Sequence, residues 1–159
     1  MNITILCVGK IKENFYEDAV SEYLKRLSRY ASVKIVEVKD EKTPEDASPK
    51  EETLIKKAEG ERLLQKLPED AHVIALTIDG KSFSSPEMAS AIENLQISGK
   101  SHIAFIIGGS LGLSEEVVAR ANEKWSFSKL TFPHQLMRVI LLEQLYRSFR
   151  IIKHEPYHK

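Results

Sequence analysis

His102-Ile103-Ala104-Phe105-Ile106-Ile107-Gly108-Gly109-Ser110-Leu111-Gly112 is the stretch that decides the fold. Ile103 to Ile107 is apolar on both faces, as a strand in the middle of a parallel sheet is. Glycines follow at once. Ser114 can then cap a short helix whose first turn holds Glu115 and Glu116, the favourable end for negative charge. A buried strand that runs into a glycine turn and a helix is the repeating unit of an α/β sheet. The turn after the strand is where such sheets bind ligands.

The flanks continue the alternation. Ile3 to Val8 reads as a first strand, followed by a helical stripe through Phe15, Ala19, Tyr23, Leu24, Leu27 and Tyr30. Val33 to Val38 alternates apolar residues with charge, as a strand near a sheet edge does. Lys39 to Thr53 is dense in charge, holds Pro44 and Pro49, and reads as a loop. A helix through Leu54, Ile55, Ala58, Leu63 and Leu67 ends before Pro68. His72 to Ile78 is a buried strand that stops at the turn signal Asp79-Gly80, after which Ser85 caps a helix with Pro86 at its first position. Trp125 to Ser128 is a weak fifth strand, and Pro133 opens a last helix that runs to about Arg150. With no repeat or linker, residues 1–159 are expected to form one α/β domain, a parallel-type sheet with helices on both faces.

In that last helix Val139, Ile140, Leu141 and Leu142 are consecutive, and Leu136, Met137, Leu145, Tyr146 and Phe149 are apolar as well. A helix apolar nearly all round must be covered on several sides. In a chain this short one cover is the sheet, and the other is expected to be a second subunit.

Composition excludes several classes. At 159 residues, with 42% hydrophobic and 29% charged side chains, the chain is neither disordered nor fibrous. No apolar run reaches the roughly 18–20 residues that cross a bilayer. The N-terminus has no basic head or small-residue cleavage site, so neither a signal peptide nor a membrane partner is expected, and the location expected is cytoplasmic. The single cysteine, Cys7, lies in an apolar strand and reads as a buried thiol. Lys plus Arg equal Asp plus Glu at 23 each, which argues against indiscriminate coating of nucleic acid. The halves differ: residues 1–119 carry 15 basic and 20 acidic side chains, whereas 120–159 carry 8 and 3. A basic C-terminal quarter can face an anionic partner or simply solvate a terminal helix.

The turn Gly108-Gly109-Ser110-Leu111-Gly112 misses the dinucleotide fingerprint, since Ile107 stands where G-x-G-x-x-G needs glycine. There is no phosphate loop, no G-x-S-x-G elbow and no metal spacing among the histidines at 72, 102, 134, 154 and 158. The segment Ser126 to Pro133 carries no carboxylate and mixes small hydroxyls with apolar residues, which suits main-chain contact with a flat, partly apolar ligand. The tail Lys153 to Lys159 is polar, and on composition alone it reads as frayed.

Taken together, Gly108-Gly109 with Gly112, the run Phe127 to Pro133 with His134, Arg138 to Glu143, Tyr146-Arg147 and Tyr157-His158 resemble the ribosomal RNA large subunit methyltransferase H (RlmH) family of the SPOUT superfamily. Asp79-Gly80-Lys81 and Ser85 match its pattern too, and the similarity is full-length. The resemblance implies a C-terminal trefoil knot, S-adenosylmethionine bound in the knot, and an obligate homodimer with sites at the subunit boundary. The implied substrate is 23S rRNA of the ribosome, methylated at N3 of a pseudouridine, with no DNA partner. Carried over by position, the cofactor contacts are Leu76, Gly108 and Phe127, Ser128, Lys129, Leu130, Thr131 and Phe132. Tyr157 and His158 are candidates for shaping the pocket or moving the proton, and Arg138, Arg147 and Lys159 for holding phosphates. Zero net charge favours assembled ribosomes over free rRNA, because a small neutral dimer has little long-range attraction and docks by shape. Two other readings stay open: a nucleotide-dependent oxidoreductase on a doubly wound sheet, and a non-catalytic ribosome-binding factor.

Overall fold

The computed structural model describes residues 1–159. Five strands and five helices alternate strictly: β1 (Asn2–Val8), α1 (Asn14–Leu27), β2 (Ser32–Val38), α2 (Pro49–Lys66), β3 (His72–Ser82), α3 (Ser85–Ile97), β4 (His102–Ile107), α4 (Glu115–Arg120), β5 (Glu123–Ser126) and α5 (His134–Ile152). All four strand pairings are parallel, in the order β2-β1-β4-β3-β5. Every segment that leaves a strand therefore emerges at one edge of the sheet. It is at such an edge that the sequence leads one to expect a ligand site.

The doubly apolar pattern of β4 is explained by its central place. Ile103, Phe105 and Ile107 face the larger core, where α1, α3 and α5 contribute Val20, Leu27, Met88, Ile92, Leu141, Leu142, Leu145 and Phe149. Ala104 and Ile106 face the other layer, with Leu63 of α2 and Val117 of α4. Trp125 of β5 is fully buried and meets Phe83 and Phe105 edge-on, with ring centroids 4.8 and 5.7 Å apart. Edge-to-face contacts of this kind add to the burial of the rings.

Several boundaries differ from the sequence reading, each for a local reason. β3 does not stop at Asp79-Gly80; residues 77–80 bulge out and the strand resumes, so that both Leu76 and Lys81 stand opposite Trp125. Gly80 makes this possible, since a Cβ there would lie 2.7 Å from the main-chain carbonyl carbons of Lys124 and Trp125. β5 ends at Ser126 because side chains take over the hydrogen bonds: Ser126 Oγ donates to the Ser128 carbonyl at 3.1 Å, and Ser128 Oγ accepts from the Leu130 N–H at 2.9 Å. α2 starts at Pro49 through a capping box between Ser48 and Glu51, which shortens the charged loop to 39–48. α3 is capped by Ser84 with Glu87, while Ser85 donates instead to Gln144 Oε1 on α5.

The tail is also docked rather than frayed. Glu155 accepts from Arg150 at 2.8 Å and from the Tyr30 hydroxyl at 2.9 Å, and Arg150 donates to the Pro156 carbonyl. Arg150 and Tyr30 lie outside the tail, so the tail's own composition could not disclose these partners.

Candidate functional site

Three segments meet where the strands end. Leu76 to Ile78 runs into the bulge of β3, Ile107 to Gly112 leaves β4, and Phe127 to His134 joins β5 to α5; together with Met137 they line a cavity of about 580 Å³. That is within the usual range for a small-molecule site. No carboxylate, lysine or arginine lines it. The polar side chains of its lining residues are the hydroxyls of Thr77, Ser110, Ser128 and Thr131 and the imidazole of His134.

The turn after β4 is held closed by its own backbone. Gly109 and Gly112 form an isolated antiparallel bridge, and the Gly112 N–H donates to the Gly109 carbonyl at 3.1 Å. Gly112 has φ +90°, in the region that favours glycine. A Cβ on Gly108 would lie 2.9 Å from the carbonyl carbon of Gly112, so a side chain there would open the turn. Ser114 Oγ closes the far end by accepting the Val117 N–H at 3.3 Å.

The third segment is fixed by the first turns of α5. Gln135 Oε1 accepts the main-chain N–H groups of Lys12 at 2.7 Å and Glu13 at 3.4 Å. The Arg138 guanidinium, with no exposed surface, donates to Glu37 at 2.5 Å and to the Gly9 carbonyl at 2.7 Å. A Cβ on Gly9, which has φ +92°, would stand 3.1 Å from the His134 ring. His134 Nδ1 is buried without a partner. Burial first, then the nearby Arg138 charge, push the imidazole below its usual pKa, so His134 is neutral at pH 7. The chain leaving β1 and the chain entering α5 are thereby locked together beside the cavity.

A second cluster lies farther along α5. Glu143 Oε1 accepts from Arg147 Nε at 2.9 Å, from Arg147 Nη2 at 2.6 Å and from the Tyr157 hydroxyl at 3.1 Å. Tyr157 packs edge-on against Tyr146 and lies 4.7 Å from Arg147 as a cation–π partner. Burial, followed by the Glu143 charge, pushes the Tyr157 hydroxyl up to about 12. It is therefore a hydrogen-bond donor at neutral pH. Arg147 also bonds His158 Nδ1 at 3.1 Å, and since a guanidinium only donates, that nitrogen accepts and a neutral His158 carries its proton on Nε2. Glu143 is about 9 Å up the helix axis from Met137, at 1.5 Å per residue.

The residues singled out in the sequence are thus sorted into distinct places. Leu76, Gly108, Phe127, Ser128, Leu130, Thr131 and Phe132 come together around one cavity, whereas the Lys129 side chain is exposed and lies outside its lining. Tyr157, His158 and Arg147 come together in the second cluster, and Lys159 is exposed at its end. The expectation that Arg138 holds phosphate is corrected: its charge is spent inside the chain on Glu37 and Gly9, and it has no surface to offer. Sequence reasoning missed Ile78, His134 and Met137 as lining residues. The Pro133-His134 pair was in view, but nothing local shows that the ring turns inward. It also missed Glu143, whose placement one turn before Arg147 was the available signal. Cys7 is fully buried and its thiol is pushed up to about 12, mainly by burial, which leaves it inert as a nucleophile.

Comparison with known proteins agrees with this geometry. A family model described as predicted SPOUT methyltransferase matches residues 1–158. Proteins named ribosomal RNA large subunit methyltransferase H from Clostridium beijerinckii and Clostridium novyi are each 60% identical over 159 residues, covering 100% of both chains. One from Clostridium botulinum is 59% identical over the same length. Among solved structures, a probable methylase family protein from Haemophilus influenzae Rd KW20 superposes with a TM-score of 0.54 at 13% identity, covering 99% of this chain and 70% of that one, a likeness of fold. With its parallel sheet, its glycine turn and a match over nearly every residue, the chain belongs to the SPOUT methyltransferase family.

Proposed function

We propose that this chain, as one catalytic domain over residues 1–159, transfers a methyl group from S-adenosylmethionine to N3 of a pseudouridine in 23S rRNA of the large ribosomal subunit. It acts as a homodimer on assembled ribosomes. The observation that carries this reading is the cavity of about 580 Å³, lined by three converging segments with no carboxylate, lysine or arginine among them. The names of the full-length relatives supply the substrate class. No helix is long and apolar enough to cross a membrane.

The residues present fit S-adenosylmethionine. Leu76, Ile78, Leu111 and Phe132 offer apolar walls for a flat base, and the Gly108 turn admits close backbone approach. The absence of lysine and arginine from the lining leaves a sulfonium unopposed, whereas a dinucleotide's pyrophosphate would find no counter-charge. The bound cofactor supplies an electrophilic methyl group.

N3 of a uracil-type ring bears a proton that must leave before the nitrogen can attack. With the methyl donor bound, the deprotonated N3 would attack the methyl carbon, forming the N–C bond as the C–S bond breaks and S-adenosylhomocysteine leaves, so opposite charges would cancel on the way to the transition state. A cavity that excludes water favours that change, and alignment of the two partners supplies much of the rest. The neutral imidazole of His134 and the main-chain amides shape the cavity without adding charge. Arg147 and Lys159 carry the positive charge available to phosphate, while Tyr157 donates a hydrogen bond and orders the tail. The partly exposed faces of Leu136 and Ile140 on α5 support the dimer. The trefoil knot is supported by membership of the SPOUT methyltransferase family.

The test is incubation of purified protein and tritiated S-adenosylmethionine with ribosomes that lack the modification, followed by nucleoside analysis. Label in N3-methylpseudouridine of 23S rRNA is the expected result. Label in another nucleoside, or none, would overturn the proposal.

A further inference from the structure

The glycine turn rests on a side chain that belongs to neither cluster described above. Glu59 of α2 is only 4% exposed although it is a carboxylic acid. Its Oε2 accepts the main-chain N–H of Glu41 at 2.9 Å, and its Oε1 is buried with no partner. A Cβ on Gly109 would lie 3.0 Å from Oε1 and 3.3 Å from Oε2, so the carboxyl group is packed directly against the turn. The neighbouring Gly60 is fitted to the turn's other end: a Cβ there would meet Ser114 Oγ at 2.3 Å, and Ser114 is the cap of α4. Consecutive residues of one helix therefore support both ends of the segment 109–114.

The charged groups facing Glu59 are few. Asp40 and Glu41 come from the loop after β2, and Arg62 from the next turn of α2, where it is bound to Glu41 and to the Lys39 carbonyl. Val8 at the end of β1 and residues 108–114 bring none. Burial, assisted by Asp40 and Glu41, raises the Glu59 carboxyl above its ordinary range, against the Glu41 N–H and Arg62. An ionised Glu59 would leave a buried charged oxygen without a donor. The nearest relief is water drawn under Gly109, or movement of the turn that carries Gly108.

We propose that Glu59 is a positioning residue for the cofactor cavity: as a neutral carboxylic acid it props the Gly109 turn in its binding shape, and on ionisation it lets the turn go. This rests on the reading of the cavity as the methyl donor's pocket. Ligand affinity then falls as pH rises through the Glu59 titration. Glutamine has the same shape and cannot ionise, so it holds the turn at every pH.

The experiment is calorimetric titration of the full-length protein with S-adenosylhomocysteine between about pH 5 and about pH 8, for wild type and Glu59→Gln. Titration of the ligand and of His134 affects both proteins alike and cancels in their ratio. Relative to the variant, wild-type affinity is expected to fall about fivefold or more across the range. Equal slopes in the two proteins would overturn the role of Glu59 while leaving the cavity assignment standing. Absence of wild-type binding at every pH would overturn the cavity assignment, and the proposal with it. Should Glu59→Gln fail to fold, amide hydrogen exchange in the wild type decides. Protection of residues 109–113 that drops with pH relative to β4 supports the proposal, and constant relative protection refutes it.

Discussion

Replacing Arg138 by methionine separates a latch from a phosphate contact. The substitution keeps most of the stem and removes the guanidinium, which has no exposed surface. Two charge-assisted hydrogen bonds are lost, each worth about 1.5–3 kcal/mol where both partners stay dry. They do not count equally. The Glu37 side chain is 38% exposed and regains water, so its share shrinks to the surface ion-pair scale of about 0.5 kcal/mol. The Gly9 carbonyl does not regain water, and leaving it unpaired costs about 1–3 kcal/mol. Relief from burying a guanidinium whose Nε has no partner offsets roughly 1 kcal/mol. The net loss is about 1.5 kcal/mol, which at this chain length lowers Tm by about 3–6 °C. Calorimetric melting of wild type and Arg138→Met measures it. A phosphate contact would behave otherwise, with an unchanged Tm, weaker ribosome binding and a shallower salt dependence by about one ion. That second pattern would refute the assignment of Arg138 as an internal latch between β1 and α5.

Two more outcomes follow from the site. Gly108→Ala places a Cβ against the Gly112 backbone; S-adenosylhomocysteine affinity is expected to drop at least about tenfold by calorimetry, and wild-type affinity in the variant would show that the turn does not touch the ligand. Tyr157 is raised to about 12, so its contribution to stability is complete below its unfolded value and is lost only as pH rises through about 12. Tyr157→Phe should therefore leave the shape of the methylation pH profile between about pH 6 and about pH 9 unchanged, and loss of an alkaline limb in the variant would reveal the phenolate as the proton acceptor.

Much of the architecture is written in short-range pattern. Apolar runs of strand length, helical stripes, serine caps and glycine turns are local signals, and the alternation they spell out can close only as a parallel sheet covered on both sides. The segments that line the cavity were legible for the same reason, as the glycines of Gly108 to Gly112 and the lack of carboxylates along Phe127 to Phe132 are visible in the sequence.

Tertiary structure alone decided the fate of individual charges. Arg138, Arg147 and Lys159 look alike in the sequence, yet one is buried on Glu37 and Gly9, one is bound to Glu143 in the second cluster, and one is free. Glu59 is one acid among the many of α2 until folding sets it beneath Gly109. A side chain's charge is a property of the residue. What neutralises that charge, 101 positions from Arg138 in the case of Glu37, is a property of the packed chain, because burial and partner arrive together only when distant segments meet.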